Sequence, residues 1–490
     1  MAFTDRLHNR GSISTGYDID NSVKMEADNS EYLSRVLSSS GNRRTFTIST
    51  WRKRSELGDM QTMYSCNVSG QEGTLLRFAT ENASYPDAIQ IDIGAVGTNS
   101  RSYTSSLYRD TSAWYHVVLA VDTTQSTATD RFKLYVNGVL ITDYASRNNP
   151  AQNFDTSNNH AANSNTQHVG AYTTGGQVYG KASGYTADTY HIDGQALAPT
   201  EFGEYDEDSG IWKPKEYTGT YGTNGFFLDF SDSANLGDDA SGNANNFTEN
   251  NIAAADQATD TPTNNFVTWL SNGTIFNNGS DNMLFNEGGT RMKRGGGTGW
   301  TTHYANMAAS SGKWYFEHES VGANNTMMGA IPVDGTTDNS SGRNNHYLGN
   351  VAGHGVGYQF VDRYIYQNGS YFLNGGSNPN SGTIVQVALD LDNGKIYFGL
   401  DNTWLNQQTS SNPSTGSNGL SLAGWSSDQM WMFAGSSYNP NVNQSTNFGG
   451  YTEMSISSAA NDENGYGTFE YAPPTGFLAM CSKNLAEYGG

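Results

Sequence analysis

Residues 382–404 read GTIVQVALDLDNGKIYFGLDNTW. Val385, Val387 and Leu389 alternate with Gln386, Ala388 and Asp390. Leu391-Asp392-Asn393-Gly394 breaks the run, and Ile396, Phe398 and Leu400 resume it before Asp401-Asn402. Period two on both sides of an Asp-Asn-Gly turn predicts a β-hairpin, with one face packed on a second sheet and the other in water. Residues 114–142 repeat the theme. Val117, Leu119 and Val121 alternate up to Asp122, a polar loop follows, and Phe132, Leu134 and Val136 lead into Asn137-Gly138. Two copies of one strand-turn-strand plan predict two similar β-sandwiches in tandem.

Shorter strands are expected around 46–50, 75–79, 88–93, 169–172, 190–192 and 225–230, then around 312–317, 327–331, 355–360, 363–367 and 429–434. Residues 251–265 carry no hydrophobic periodicity and read as a linker. The expected organisation is therefore a flexible N-terminal arm over 1–24, a first sandwich over 25–250, a linker with entry strands over 251–299, and a second sandwich over 300–490. The fold class is all-β: two tandem antiparallel sandwiches of jelly-roll type with long polar loops.

Composition and charge refine this picture. A chain of 490 residues exceeds one core, in agreement with two domains. A formal charge of -22 repels polyanions, which argues against nucleic acid as a partner and leaves divalent cations as the sharper alternative to mere solubility. The basic cluster Arg43-Arg44 and Arg52-Lys53-Arg54 alternates with apolar residues and reads as a solvated strand face. Two distant cysteines, Cys66 and Cys481, make neither a disulfide framework nor a zinc cluster, as expected of a chain that matures in a reducing cytosol or does not depend on cross-links. The N-terminal stretch lacks the apolar core of a signal peptide, and no run of about 18 apolar residues exists, so no membrane insertion is expected.

Candidate chemistry is sparse. Glu204, Asp206 and Asp208 form an E-x-D-x-D string, but Ser209-Gly210 ends it at once, so it reads as a turn. Arg294-Gly295-Gly296-Gly297 lacks the strand-helix setting of a phosphate loop and also reads as a turn. Nine scattered histidines and no Ser/His/Asp set argue against an enzyme. Asp122 and Asp130 flank a hairpin loop without EF-hand spacing, so they read as turn aspartates; no cofactor and no metal ligand is assigned. Aromatics flanked by polar residues are the candidate ligand-binding groups: Trp300, Tyr304, Tyr364, Tyr366 and Trp404. No heptads or short repeats build a stalk, so any homo-oligomer would form through sandwich faces or the arm.

Some of these stretches resemble known families. Residues 46–51, 114–138 and YHIDGQAL at 190–197 resemble a laminin-G-like, concanavalin-type sandwich over about 22–230. GKWYFE at 312–317, VALDLDNGKIYFGLDNTW at 387–404, NFG at 447–449 and YAPPTGF at 471–477 resemble a SPRY domain over about 300–485, with 451–467 as an insertion of unread role. The first resemblance implies that Ca²⁺ could be held at a rim. In sandwich enzymes that cleave laminarin, acids at i, i+2 and i+4 on a strand do the chemistry, a setting the 204–208 string lacks. The tandem, rich in Asn and Gly, resembles virion structural proteins of marine tailed phages. That resemblance implies assembly in the host cytoplasm, a place on the virion, and a role as fibre, decoration or tail-attached adhesin. The implied partners are other virion proteins and host-surface glycans. The alternatives are a secreted bacterial carbohydrate-binding lectin and, behind it, a glycan depolymerase.

Overall fold

The alternation at 382–404 folds as expected. In the computed structural model, Ser381–Asp390 pairs antiparallel with Lys395–Leu400, from Val385 opposite Leu400 to Asp390 opposite Lys395. Val385, Val387, Leu389, Ile396 and Phe398 enter the core together. Trp114–Asp122 pairs in the same manner with Phe132–Val136, from Val117 opposite Val136 to Val121 opposite Phe132. Each second strand then turns through two residues at positive φ: Asn137 (48°) with Gly138 (77°), and Asp401 (45°) with Asn402 (63°). Two such residues give the turn whose twist matches a hairpin, which is why short Asn, Asp and Gly occupy them. The structure describes residues 16–490 except 69–70, 80–84, 96–97, 162–164, 208, 277–282, 296–298, 323, 337–346, 375–377, 408 and 441.

The chain forms two units, one ending at Thr263 and the other beginning at Asn264. The N-terminal unit packs two eight-stranded sheets. One is centred on Thr45–Arg54 between Trp114–Asp122 and Gly184–Asp193. The other is centred on Gln71–Ala79 between Gln61–Val68 and Ala88–Ala95. Phe46, Ile48, Val117 and Leu119 from the first meet Leu76, Phe78, Ile89 and Ile91 from the second.

The C-terminal unit packs a seven-stranded sheet on a ten-stranded one. Thr326–Pro332 lies between Trp431–Ser437 and Val356–Gln359 in the first. Lys313–Val321 lies beside Ser381–Asp390 in the second. One helix, Ser482–Tyr488, follows. The 451–467 insertion contributes Asp462, whose Oδ2 accepts from the Ala479 backbone N–H at 2.9 Å and from Asn484 Nδ2 at 2.8 Å, so it pins the C-terminal segment.

Three readings need correction. Of the linker with entry strands expected over 251–299, the entry strands form, but the 251–265 stretch is not a free linker: the units divide at Thr263 and Asn264. Gln257–Ala258 pairs with Ser22–Met25 in one, and Trp269–Phe276 pairs with Thr301–Ala305 in the other. The arm is shorter than 1–24, since Ser22–Met25 is a buried strand and Ile19 is 3 % exposed; residues 1–15 lie outside the described part. The basic cluster at 52–54 is not a solvated face. Arg52, Lys53 and Arg54 are all buried, with Lys53 Nζ 2.7 Å from Asp260 and Arg54 Nη2 3.0 Å from Asp87. Charge opposite charge can replace water there, and such pairing leaves no trace in hydrophobic periodicity.

Candidate functional site

The hairpin Tyr364–Gln367 and Ser370–Leu373 forms one end of the seven-stranded sheet. Asn368 (φ 55°) and Gly369 (φ 76°) make its two-residue turn. Period two sends Ile365 into the core and leaves Tyr364 and Tyr366 on the opposite face. Register places Tyr371 across from Tyr366. The three rings touch: centroids are 4.8 Å apart for Tyr364 and Tyr371, and 5.5 Å for Tyr366 and Tyr371. Tyr371 is 61 % exposed, so this end of the sheet presents its open phenol face, with Tyr364 and Tyr366 half-buried beside it.

The trio continues along the same face. Tyr366 meets Tyr347 edge-on at 5.1 Å, Tyr347 meets Trp300 at 4.7 Å, and Trp300 meets Tyr438 at 5.7 Å. Their base is a small apolar cluster of Met327, Ile331, Leu348, Met432 and Ala434, with Tyr304 packed against it. Leu348 descends onto the sheet because Gly357 has no side chain; a Cβ there would lie 2.7 Å from that of Leu348. The Leu348 backbone N–H donates to Ser436 Oγ at 3.1 Å, and the Gly369 N–H donates to the Gly349 carbonyl at 3.0 Å. These bonds tie the loop carrying Tyr347 to both sheet and turn, so the ribbon of six rings rests on a fixed scaffold.

Burial raises the phenols of Tyr366 and Tyr347. Both stay protonated at neutral pH and keep donor and acceptor capacity. A tyrosine of this kind offers an apolar face and a polar tip, which suits a ligand with a hydrophobic face and equatorial hydroxyls.

Of the five aromatics singled out in the sequence, Trp300, Tyr304, Tyr364 and Tyr366 converge here. Trp300 is buried and acts as support, while Tyr364 and Tyr366 face outward. Trp404 does not join them; it is half-buried against a separate cluster that contains Tyr315, Tyr397 and Phe477. Sequence reasoning missed Tyr347, Tyr371 and Tyr438. The Asn368-Gly369 turn could have revealed Tyr371, since it fixes which residue faces Tyr366. Tyr347 and Tyr438 lie in loops without a periodic signal.

The other candidates are engaged elsewhere. Lys213 Nζ lies 3.6 Å from Glu204 and 3.3 Å from Asp206, locking them in a two-stranded hairpin; Asp208 lies outside the described residues. Arg294 is buried at the end of Arg291–Arg294, and Gly296 and Gly297 fall outside the described part. Asp122 accepts from Thr124 and Gln125; partial burial pushes its carboxyl up, but these bonds outweigh it and hold it below the usual range. Asp130 lies 3.5 Å from Lys133. Among the described residues no three His, Cys, Asp or Glu converge as a metal site, and no helix is long and apolar enough to cross a membrane. Burial pushes the free thiols of Cys66 and Cys481 up to about 12, which makes them inert.

Residues 27–182 match the family model of the concanavalin A-like lectin/glucanases superfamily. Among solved structures, the chain is similar to the SPRY domain of human HERC1, at 17 % identity and a TM-score of 0.25, covering 35 % of this chain and 96 % of that one. It is also similar to a Bacteroides ovatus protein named for carbohydrate binding, at 17 % identity and a TM-score of 0.33, covering 48 % of this chain and 59 % of that one. A heptameric SAP-like pentraxin from Limulus polyphemus matches at 14 % identity and a TM-score of 0.28, covering 37 % and 80 %. No curated protein matches the chain. The described residues are nearly all-β, their multiple, almost wholly antiparallel sheets are consistent with concanavalin A-like sandwiches, and a SPRY domain stands among the structural neighbours.

Proposed function

We propose that this protein binds carbohydrate through the tyrosine ribbon, and that it does so as a structural protein of a tailed-phage virion, displayed as fibre, decoration or tail-attached adhesin. The observation that carries the binding reading is the stacked trio of exposed Tyr371 and half-buried Tyr364 and Tyr366, held by a tight turn over the apolar cluster that contains Trp300. Rigid strands bearing open aromatic faces keep the ordering cost of binding low. A family model for lectin and glucanase folds over 27–182 supports the carbohydrate class. Binding without cleavage is the reading we favour, because Glu204 and Asp206 are tied to Lys213.

The virion setting rests on the tandem of two sandwiches with polar, Asn- and Gly-rich loops. In that setting the chain assembles in the host cytoplasm, neighbours other virion proteins and meets glycans of the host surface. Its test is attachment of the purified chain to host cells and, separately, to virions lacking it, with and without chelator. Saturable attachment to cells, competed by extracted surface polysaccharide, is the expected result. Attachment to the virion alone would replace glycan binding with an assembly role. Release of reducing sugar would replace binding with cleavage.

A further inference from the structure

We infer that the C-terminal unit carries another saccharide-binding cleft, on the ten-stranded sheet, that takes an uncharged sugar residue able to donate a hydroxyl hydrogen bond. This inference does not rest on the tyrosine ribbon. A cleft of about 420 Å³ opens between the strands Thr403–Asn406 and Leu420–Ser421. It falls within the usual range of ligand sites, roughly 300–1,000 Å³. Asn406, Gln407, Thr409, Asn418 and Ser421 line it, and none of its described lining residues is charged.

Local backbone builds the cleft. Gln407 (φ 48°) turns the chain after Asn406, and Asn418 (φ 51°) turns it back. Asn418 Nδ2 donates to the Ser410 carbonyl at 2.9 Å, which fixes the returning loop. Gly419 forms the floor; a Cβ there would lie 2.6 Å from Tyr397 Oη, so the phenol packs directly behind the glycine.

The decisive atom is Asn406 Oδ1. Asn406 is 8 % exposed, and its Nδ2 donates to the Asn418 carbonyl at 2.9 Å. That bond sets the orientation of the amide, so the remaining amide atom of this lining residue is an acceptor. This Oδ1 is buried and has no hydrogen-bond partner among the described residues, and neither has Tyr397 Oη. A buried acceptor left unpaired costs about 1–3 kcal/mol, which a ligand hydroxyl would recover. Amides and hydroxyls without charge describe a site for a neutral sugar and against a uronic acid.

The test uses the full chain carrying Tyr364→Ala and Tyr371→Ala, which removes the ribbon's open faces. Glucose, galactose, mannose, N-acetylglucosamine and glucuronate, as monosaccharides and short oligomers, are titrated by calorimetry and ligand-observed NMR. At least one neutral sugar should still bind, and glucuronate should bind at least tenfold more weakly. Adding Ser421→Tyr, at an exposed position on the rim, should abolish that binding with the melting temperature unchanged. Adding Asn406→Ala instead should weaken it about fivefold to tenfold. No binding in the ribbon-less background, binding indifferent to Ser421→Tyr, or glucuronate binding as tightly as glucose would each overturn the cleft. The ribbon is judged separately, by whether the unsubstituted chain binds more sites than this background.

Discussion

Tyr371 is the residue on which the ribbon opens to solvent, and its ring contributes the face while its hydroxyl contributes only a polar tip. Tyr371→Phe should therefore leave polysaccharide affinity within about twofold. Asp188 tells a different story. It is 2 % exposed and accepts from Tyr17 Oη at 2.9 Å and Tyr190 Oη at 3.1 Å. Burial pushes its carboxyl up to about 7 against the lowering effect of those two phenols. A raised carboxyl pKa means the fold favours the protonated form. Its contribution is complete below the ordinary carboxylate range and is lost as pH rises through about 7. The melting temperature should fall between pH 5 and pH 8, and Asp188→Asn, which keeps an acceptor for both phenols, should flatten that fall. Glu56, also raised to about 7 by burial, shares the window, so the difference between the two proteins is the quantity to compare. An unchanged slope in the asparagine variant would place the titration elsewhere.

At the scale of elements, the hairpins were legible because each needed only period two and a turn of Asn, Asp or Gly. The same logic gives Gly369 its role: at φ 76° an alanine is strained, so Gly369→Ala should cost about 1–2 kcal/mol in denaturant unfolding. The 251–263 segment was illegible because its anchors are single polar contacts. Asp260 Oδ2 lies 2.7 Å from Lys53 Nζ, and its Oδ1 accepts from Trp114 Nε1 at 3.1 Å. Burial lowers the Lys53 ammonium while Asp260 holds it up, so the pair stands or falls together. Asp260→Ala should destabilise the N-terminal unit by roughly 3–5 kcal/mol, because it leaves a buried charge uncompensated. A loss below about 1 kcal/mol would mean that water reaches Lys53. The acid-base pairing that defeats a periodicity argument is also what turned the basic stretch at 52–54 inward.

For the whole molecule, sequence alone conveyed the fold class and the tandem plan, because two copies of one pattern require two cores. It conveyed the ribbon only in part. Alternation marks Tyr364 and Tyr366 as sharing a face, but bringing Trp300 and Tyr347 beside them requires strands and loops far apart in the chain. Trp404 was grouped with them on composition, and the second sheet claims it. The account of function rests on that ribbon being a glycan surface. The most direct measurement is equilibrium binding of host-surface polysaccharide to the Tyr364→Ala, Tyr371→Ala chain beside the unsubstituted one, with melting temperatures recorded for both. The ribbon account predicts affinity weakened about tenfold or more, from two lost aromatic contacts of about 0.5–1.5 kcal/mol each, with the fold intact. Equal affinity in the two folded proteins would contradict it.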